Sequence, residues 1–299
     1  MNDHLMDPRR LELLLELSRL GSMREVADTL GVTTSTVSQQ ISALARQLGT
    51  PLVEPEGRRV RLTPAGRRLA GHAVTVLAAM EAARLDLDPT AVPVGTVRVA
   101  AFASAVREWL LPVARSLADT DPDVRLLIHE HEPAEALNLL GADDVDLALT
   151  YDYDLAPVTF DPSMSATSLG QTTWALGCPS GTRGARGNAR EVFSHFAGQD
   201  WIVNSRNTAD DDVVRTLAAM AGFRPRIAHR ADSLDLVQDM IAAGLGVGLL
   251  PASTRTIRGV SLRPLDDPGV VLRSYAVTRR GRAQWPPLAL VLGLLRPRG

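Results

Sequence analysis

From Thr33 to Gln40 the chain runs TTSTVSQQ, so that seven of eight consecutive residues carry a hydroxyl or a carboxamide. Val37, Ile41, Leu44 and Leu48 recur through the same stretch at helical spacing, which gives one side of it an apolar face. Hydroxyl and carboxamide side chains compete with the backbone for hydrogen bonds and weaken an isolated helix. Helix stability therefore does not account for them. Their chemistry does: Ser and Thr pair with several groups on a base edge, and Gln pairs with N6 and N7 of adenine in a major groove. On that reading Ser35, Thr36 and Gln39 face base edges, while Thr34 and Ser38 make phosphate or mixed contacts. A plain solvated helix face is the competing interpretation.

The flanking residues supply what a reading helix needs to be positioned. Leu11, Leu14, Leu15 and Leu17 trace the face of a helix from Pro8 to about Leu20 that Gly21 ends. Ser22 and Glu25 have capping-box spacing for a second helix with Val26, Ala27 and Leu30 inside. Gly31 makes the turn, and Thr33 or Thr34 caps the polar helix. This is a helix-turn-helix pattern. Leu52–Val53 and Val60–Leu62 form two short extended pieces around a charged, Gly-containing connection, a two-stranded wing on which Arg58 and Arg59 would meet the DNA backbone or minor groove. Thr63-Pro64 then opens a helix on which Leu69, Ala73, Val76, Met80, Ala83 and Leu87 make a heptad seam, the pattern of a helix paired with its own copy or packed on its own domain.

Charge agrees with a nucleic-acid partner at this end only. The net charge is −2, yet residues 9–68 hold ten Arg against six Asp and Glu, and the chain has no lysine. Guanidinium forks suit phosphate and guanine. After the Pro-containing stretch DPTAVPVG the texture changes to alternating strands and helices, which implies an α/β unit with parallel sheets covered on both faces.

The remaining composition excludes several classes. At 299 residues, 45% hydrophobic and 22% charged, the chain is globular and large enough for two or three domains. No run has the length of a membrane span, and MNDHLMDPRR is unlike a secretory signal, so a cytoplasmic location is expected. Cys178 is the one cysteine, which rules out an intrachain disulfide and a Cys-based metal cluster. It reads as a small buried hydrophobe rather than a redox sensor. His129 and His131 share one strand face, with Glu130 or Glu132 nearby, but rim histidines are commoner than metal ligands. GLGVG follows a helix and enters a strand, the reverse of a nucleotide loop. No Ser-His-Asp motif stands out, so neither catalysis nor a cofactor is expected.

In order and spacing, several phrases resemble the LysR-type transcriptional regulators along essentially the full chain: LELLLELSRLGSMREVADTLGVTTSTVSQQISALARQLGTPLV, VRLTPAG, GTVRVAA with LLP downstream, VDLALTY, and MAGFRPRI followed by MIAAGLGVGLLP. The resemblance implies a winged helix-turn-helix at 1–63, a dimerising linker helix at 64–88 and a periplasmic-binding-protein-like effector domain at 89–299. Its first lobe would take about 94–165 and 264–299, its second about 166–263. Pro55 stands where relatives carry the first wing arginine, and Thr34-Ser35 where many carry Gln-Pro. Effector contacts implied by the resemblance are Ala103 and Ser104 at a helix start, Thr150 and Tyr151 after a strand, Asn204 and Ser205, and Gly246. The implied partners are double-stranded operator DNA, a small-molecule effector of the carboxylate or amino acid kind, a homodimer or homotetramer, and RNA polymerase as a further candidate. A solute-binding module and a small cytosolic α/β enzyme are the alternative readings.

Overall fold

The computed structural model describes residues 6–56, 59–88, 91–182, 187–206 and 208–295. Its first unit contains α1 (Pro8–Leu20), α2 (Met23–Leu30), α3 (Thr34–Leu48), an antiparallel wing of β1 (Val53–Glu56) with β2 (Arg59–Leu62), and the long α4 (Pro64–Leu87). Side-chain oxygens of Asp7, Ser22, Thr33 and Thr63 each accept a backbone N–H in the first turn of the following helix. Gly21, Gly31 and Gly49 end the first three helices in the left-handed conformation. Leu11, Leu14, Val26, Val37, Ile41 and Leu44 are at most 1% exposed and form the shared core of the three helices. Each such side chain contributes about 1.5–3 kcal/mol on burial.

The face that α4 buries is Ala70, Ala73, Val74 and Ala78, against α1 and the C-terminal region. Of the heptad residues, Ala73 is therefore spent inside its own chain, whereas Val76 (38% exposed), Met80 (48%) and Leu87 (83%) point outward with Ala83. The last four of the six seam residues are open to a partner.

The second unit begins with β3 (Gly95–Ala101). Then α5 (Ala103–Ala105), a π-helical turn (Val106–Leu110) and α6 (Leu111–Thr120) run on without a break. β4 (Val124–Glu130), α7 (Pro133–Gly141) and β5 (Leu147–Tyr153) complete the first half of a lobe. The long β6 (Met164–Pro179) crosses to α8 (Ala189–His195), β7 (Asp200–Val203), α9 (Ala209–Met220), β8 (Arg226–Arg230), α10 (Leu234–Ala242), β9 (Val247–Pro251) and β10 (Val260–Pro264). β11 (Val271–Arg279), a 3-10 turn (Arg282–Gln284) and α11 (Pro286–Leu295) return to the first lobe.

The nine strands follow the order β4-β3-β5-β11-β6-β9-β7-β8, with β10 also on β6. Within each lobe β3 is parallel to β4 and β5, and β7 to β8 and β9, as the strand-helix alternation predicts. The sheet is nevertheless mixed: β11 is antiparallel to β5 and β6, and β6 to β9 and β10. β11, antiparallel to β5, and β6, antiparallel to β9, are the strands that run opposite to the two parallel sets. Along β6 the pairing passes from β11, up to Thr173, to β9, from Trp174 onward. One strand thus belongs to both lobes and holds them on either side of a cleft.

Candidate functional site

The hydroxyls of the first unit are gathered at the start of α3. Thr33 Oγ1 accepts the Thr36 N–H at 3.1 Å and lies 2.8 Å from both Ser35 Oγ and Thr36 Oγ1. Thr34, Ser35 and Gln39 are exposed, and Thr36 and Ser38 are half-buried; Ser35 and Gln39 lie on the side of α3 away from Val37, Ile41 and Leu44, whereas Thr34 is open because it starts the helix. Gln40 and Gln47 do something else: their Oε1 atoms accept from the Arg10 guanidinium at 3.0 and 3.3 Å, which fixes α3 against α1. On the wing, Arg61 Nε is 3.0 Å from Glu54 Oε1, and Arg67 donates to Leu62 O at 2.7 Å. Arg58 lies outside the described residues, as does the side chain of Arg59, whose backbone starts β2.

In the second unit the carboxyl ends of the parallel strands of both lobes converge on one cavity of about 290 Å³. Ligands in open α/β sheets bind beyond those ends. Ala103 and Ser104 follow β3, Glu130 ends β4, Glu132 caps α7, and Asn204 and Asp232 follow β7 and β8. Tyr151 and the crossing residue Trp174 supply aromatic wall, with Phe102 edge-on to Tyr151 at 4.8 Å. Four of the seven expected contacts thus line this cavity: Ala103, Ser104, Tyr151 and Asn204. Thr150 opens instead on a neighbouring space of about 320 Å³ beside Val158 and Phe160, which Tyr151 and Arg206 also border. Ser205 stands just outside the cleft, its hydroxyl and N–H both on the Asp232 carboxylate.

Gly246 is not part of the cleft. It precedes β9, which pairs in parallel with β7, so it sits level with Asp200 at the opposite, amino end of the strands. A Cβ there would stand 2.4 Å from Asp200 O. Its φ of 155° and that close approach give the glycine a structural reason.

The charged residues of the cleft went unmarked as effector contacts in the sequence. Arg206 reaches across the lobes, with Nη2 3.1 Å from Glu130 Oε1 and Nε 3.2 Å from Asp232 Oδ2, and it lies within 3.9 Å of Glu132 and 3.7 Å of Glu135. Burial pushes the Asp232 carboxyl up, but bonds from Ser205 and Arg206 outweigh it and hold Asp232 below the usual carboxylate range. Behind the cavity, Tyr153 OH of the first lobe donates to Asp210 Oδ1 of the second at 2.7 Å. Burial, opposed by the Tyr153 bond and helped by the charges of Glu132 and Asp232, lifts the Asp210 carboxyl to about 7. The signal for these residues lay in spacing across a hundred positions, which only the strand order brings together. Glu130 and Glu132, weighed with His129 and His131 as metal ligands, face Arg206 and Tyr151 instead, and His131 Nδ1 is 3.4 Å from Glu135. Among the described residues no group of three or more His, Cys, Asp or Glu is placed to hold a metal ion. Cys178 is fully buried on β6, its thiol pushed up by burial.

A winged helix-turn-helix joined through one long helix to a two-lobed α/β unit defines a DNA-binding head with a sensing body. Residues 8–67 match the family described as bacterial regulatory helix-turn-helix protein, lysR family, and residues 90–299 match the LysR substrate binding domain. The chain belongs to the LysR family of transcriptional regulators. It is 27% identical over 251 residues to the transcriptional dual regulator GltC of Bacillus subtilis, covering 83% of this chain and 82% of that protein. With the DNA-binding transcriptional dual regulator OxyR of Escherichia coli it shares 27% over 254 residues, covering 83% and 79%. In fold it is similar to a full-length OxyR variant of Pseudomonas aeruginosa, with a TM-score of 0.72 at 17% identity over 98% of this chain and 96% of that one.

Proposed function

We propose that this LysR-type regulator lays the start of α3 in the major groove of operator DNA and that a small molecule in the interlobe cleft sets the affinity of that contact. The observation that carries the DNA half is the arrangement of α3. Val37, Ile41 and Leu44 are wholly buried, the hydroxyls of Thr33, Ser35 and Thr36 cluster at its start, and Thr34, Ser35 and Gln39 remain open. Ser35, Thr36 and Gln39 are the base-edge readers in this proposal, Thr34 and Ser38 the phosphate or mixed contacts, and Arg58 and Arg59 the wing contacts. Groove readers of this kind place the first turns of the second helix against base edges. The second half rests on a cavity shared by both lobes, so that occupancy favours one relative placement of them and of the heads attached to α4.

The working unit is a homodimer or tetramer through the outward half of α4, acting in the cytoplasm, with RNA polymerase as a further partner. No helix of the described residues is long and apolar enough to cross a membrane. Catalysis is not assigned to it. The same site would serve a free solute-binding module, but the DNA-reading head distinguishes this chain from one.

Paired substitutions test the reading. Gln39→Ala is expected to cost about 1–3 kcal/mol at one or two base pairs and to relax preference there. Arg58→Ala should weaken all DNA alike and reduce the slope of log affinity against log salt by roughly one. Competition binding over a series of single-base operator variants at two salt concentrations separates them. Equal, sequence-independent losses for both would remove Gln39 from the base-reading set.

A further inference from the structure

The first turn of α1 holds two cations, Arg9 and Arg10, at the end of a helix whose dipole disfavours positive charge. Arg9 is exposed. Arg10 instead folds back onto α3, with Nε 3.0 Å from Gln40 Oε1, Nη1 3.3 Å from Gln47 Oε1 and Asp7 Oδ2 3.9 Å away. A guanidinium only donates, so both carboxamides turn their oxygens toward it. Gln40 and Gln47 stand two turns apart on α3, about 10.5 Å of helix rise, so one side chain holds the helix at two points along its length.

That hold matters because of how finely a groove reader must be seated. Val37, Ile41 and Leu44 pack α3 into the core of the head, but apolar burial has no direction and restrains the roll of a helix less sharply than a hydrogen bond does. Side chains reach about 5–6 Å from a helix axis, so a roll of about 10° moves a tip by about 1 Å. A hydrogen bond tolerates only about 0.5 Å of variation in donor–acceptor distance. Base readout by Ser35, Thr36 and Gln39 therefore needs a directional restraint on α3, and a charge-assisted fork is one. Gln47, in the last turn of α3 just before the Gly49 cap, is far along the helix from those readers, so its bond to Arg10 acts on the seating of the helix and not on a base. α1 also packs on α4, which makes the fork a link between the reading helix and the helix that carries the body.

Taking α3 as the reading helix, we infer that Arg10 is a positioning residue for base readout: without touching a base, its fork on Gln40 and Gln47 sets the roll at which Ser35, Thr36 and Gln39 meet the groove. The competing role for a guanidinium beside a reading helix is a phosphate contact, which steepens the salt dependence and carries no base preference.

The test uses the full-length protein and a pool of random-sequence duplexes. Selection and sequencing give the base preference at each position, and the affinity for the best duplex over that for the unselected pool gives a discrimination ratio, measured at two salt concentrations. Arg10→Met keeps an apolar stem and loses the donors, and Gln47→Met removes the anchor remote from the base readers. Each is expected to lower the ratio by about tenfold, the weight of one base contact, with pool affinity and salt slope as in the parent. The double variant should be no worse than Arg10→Met, since both substitutions break one fork. A purely structural Arg10 gives a different result: loss of folded protein scales both affinities alike and leaves the ratio unmoved. A parental ratio in either variant overturns the inference, and so does a salt slope reduced by about one in Arg10→Met, which makes it a phosphate contact. A parent without base preference removes the reading of α3 and the inference with it, whereas a discriminating parent with equally discriminating variants removes the inference only.

Discussion

Asp210 is poised at the edge of ionisation by groups from both lobes. Its carboxyl is buried, accepts from Tyr153 OH at 2.7 Å, and has its backbone N–H on Asn204 Oδ1 at 3.2 Å. Burial raises it from 3.8 to about 7, so the folded protein prefers the protonated form more strongly than the unfolded chain does. A group raised in this way contributes its stability in full below the unfolded value and loses it as pH climbs through the folded one. Between about pH 4 and pH 7 the loss is at most roughly 4 kcal/mol. Asp210→Asn keeps an acceptor for Tyr153 and cannot ionise. Thermal denaturation should show the variant gaining on the parent as pH rises from 5 to 8, and a constant difference over that range would mean that Asp210 is charged throughout. Cys178 illustrates the opposite case at this scale. Its thiol is fully buried, is pushed up by burial and has Sγ 3.5 Å from Ser261 O, so it behaves as core.

Among the elements, α4 carries the connection between head and body. Its Thr75 hydroxyl donates to Arg280 O at 3.1 Å, at the turn between β11 and the 3-10 segment. Gly281 in that turn has φ 83°, and a Cβ there would fall 2.1 Å from Thr75 Oγ1, so only glycine lets the turn lie so close to the helix. Beside this contact, Arg98 and Arg282 both bond to the buried Asp146 carboxylate, which anchors the turn to β3. On the outer side Val76 and Met80 are exposed and unneeded by the chain's own core. Val76→Glu with Met80→Glu should therefore leave the melting temperature of the head almost unchanged while light scattering reports a monomer. A variant that keeps the parental mass would place the subunit contact elsewhere. The turn glycines, the caps at Ser22, Thr33 and Thr63, and the apolar faces of α1 to α3 were legible in the sequence because each is a local signal of residue type at fixed offset, whereas the face α4 buries, Ala70, Ala73, Val74 and Ala78, is not the heptad seam. β10, α8 and α11 were not legible, nor was the first half of β6. Met164–Gln171 is mostly polar and largely exposed, without the apolar run that marks a central strand, and PPLALVLGLL is apolar on all sides, so it has no helical period to detect.

For the molecule as a whole, the sequence points to the right end of the cleft but not to its charge. Ser104 and Asn204 are visible as polar residues following a strand, one by one. The meeting of Glu130, Arg206 and Asp232 depends on β6 joining two lobes, a long-range pairing that no local pattern encodes. Gly246 shows the same limit in reverse: a conspicuous glycine phrase proves to be a close backbone approach on the far edge. The account as a whole stands on two copies of α3 gripping one duplex. Footprinting of the intact protein on its own promoter region in low salt measures this most directly. Two protected half-sites are expected, centred one helical turn, about 10.5 base pairs, or a multiple of it apart, and both should vanish together in the Val76→Glu, Met80→Glu variant. Protection of a single half-site that survives in that variant, or no protection by the parent, would contradict it.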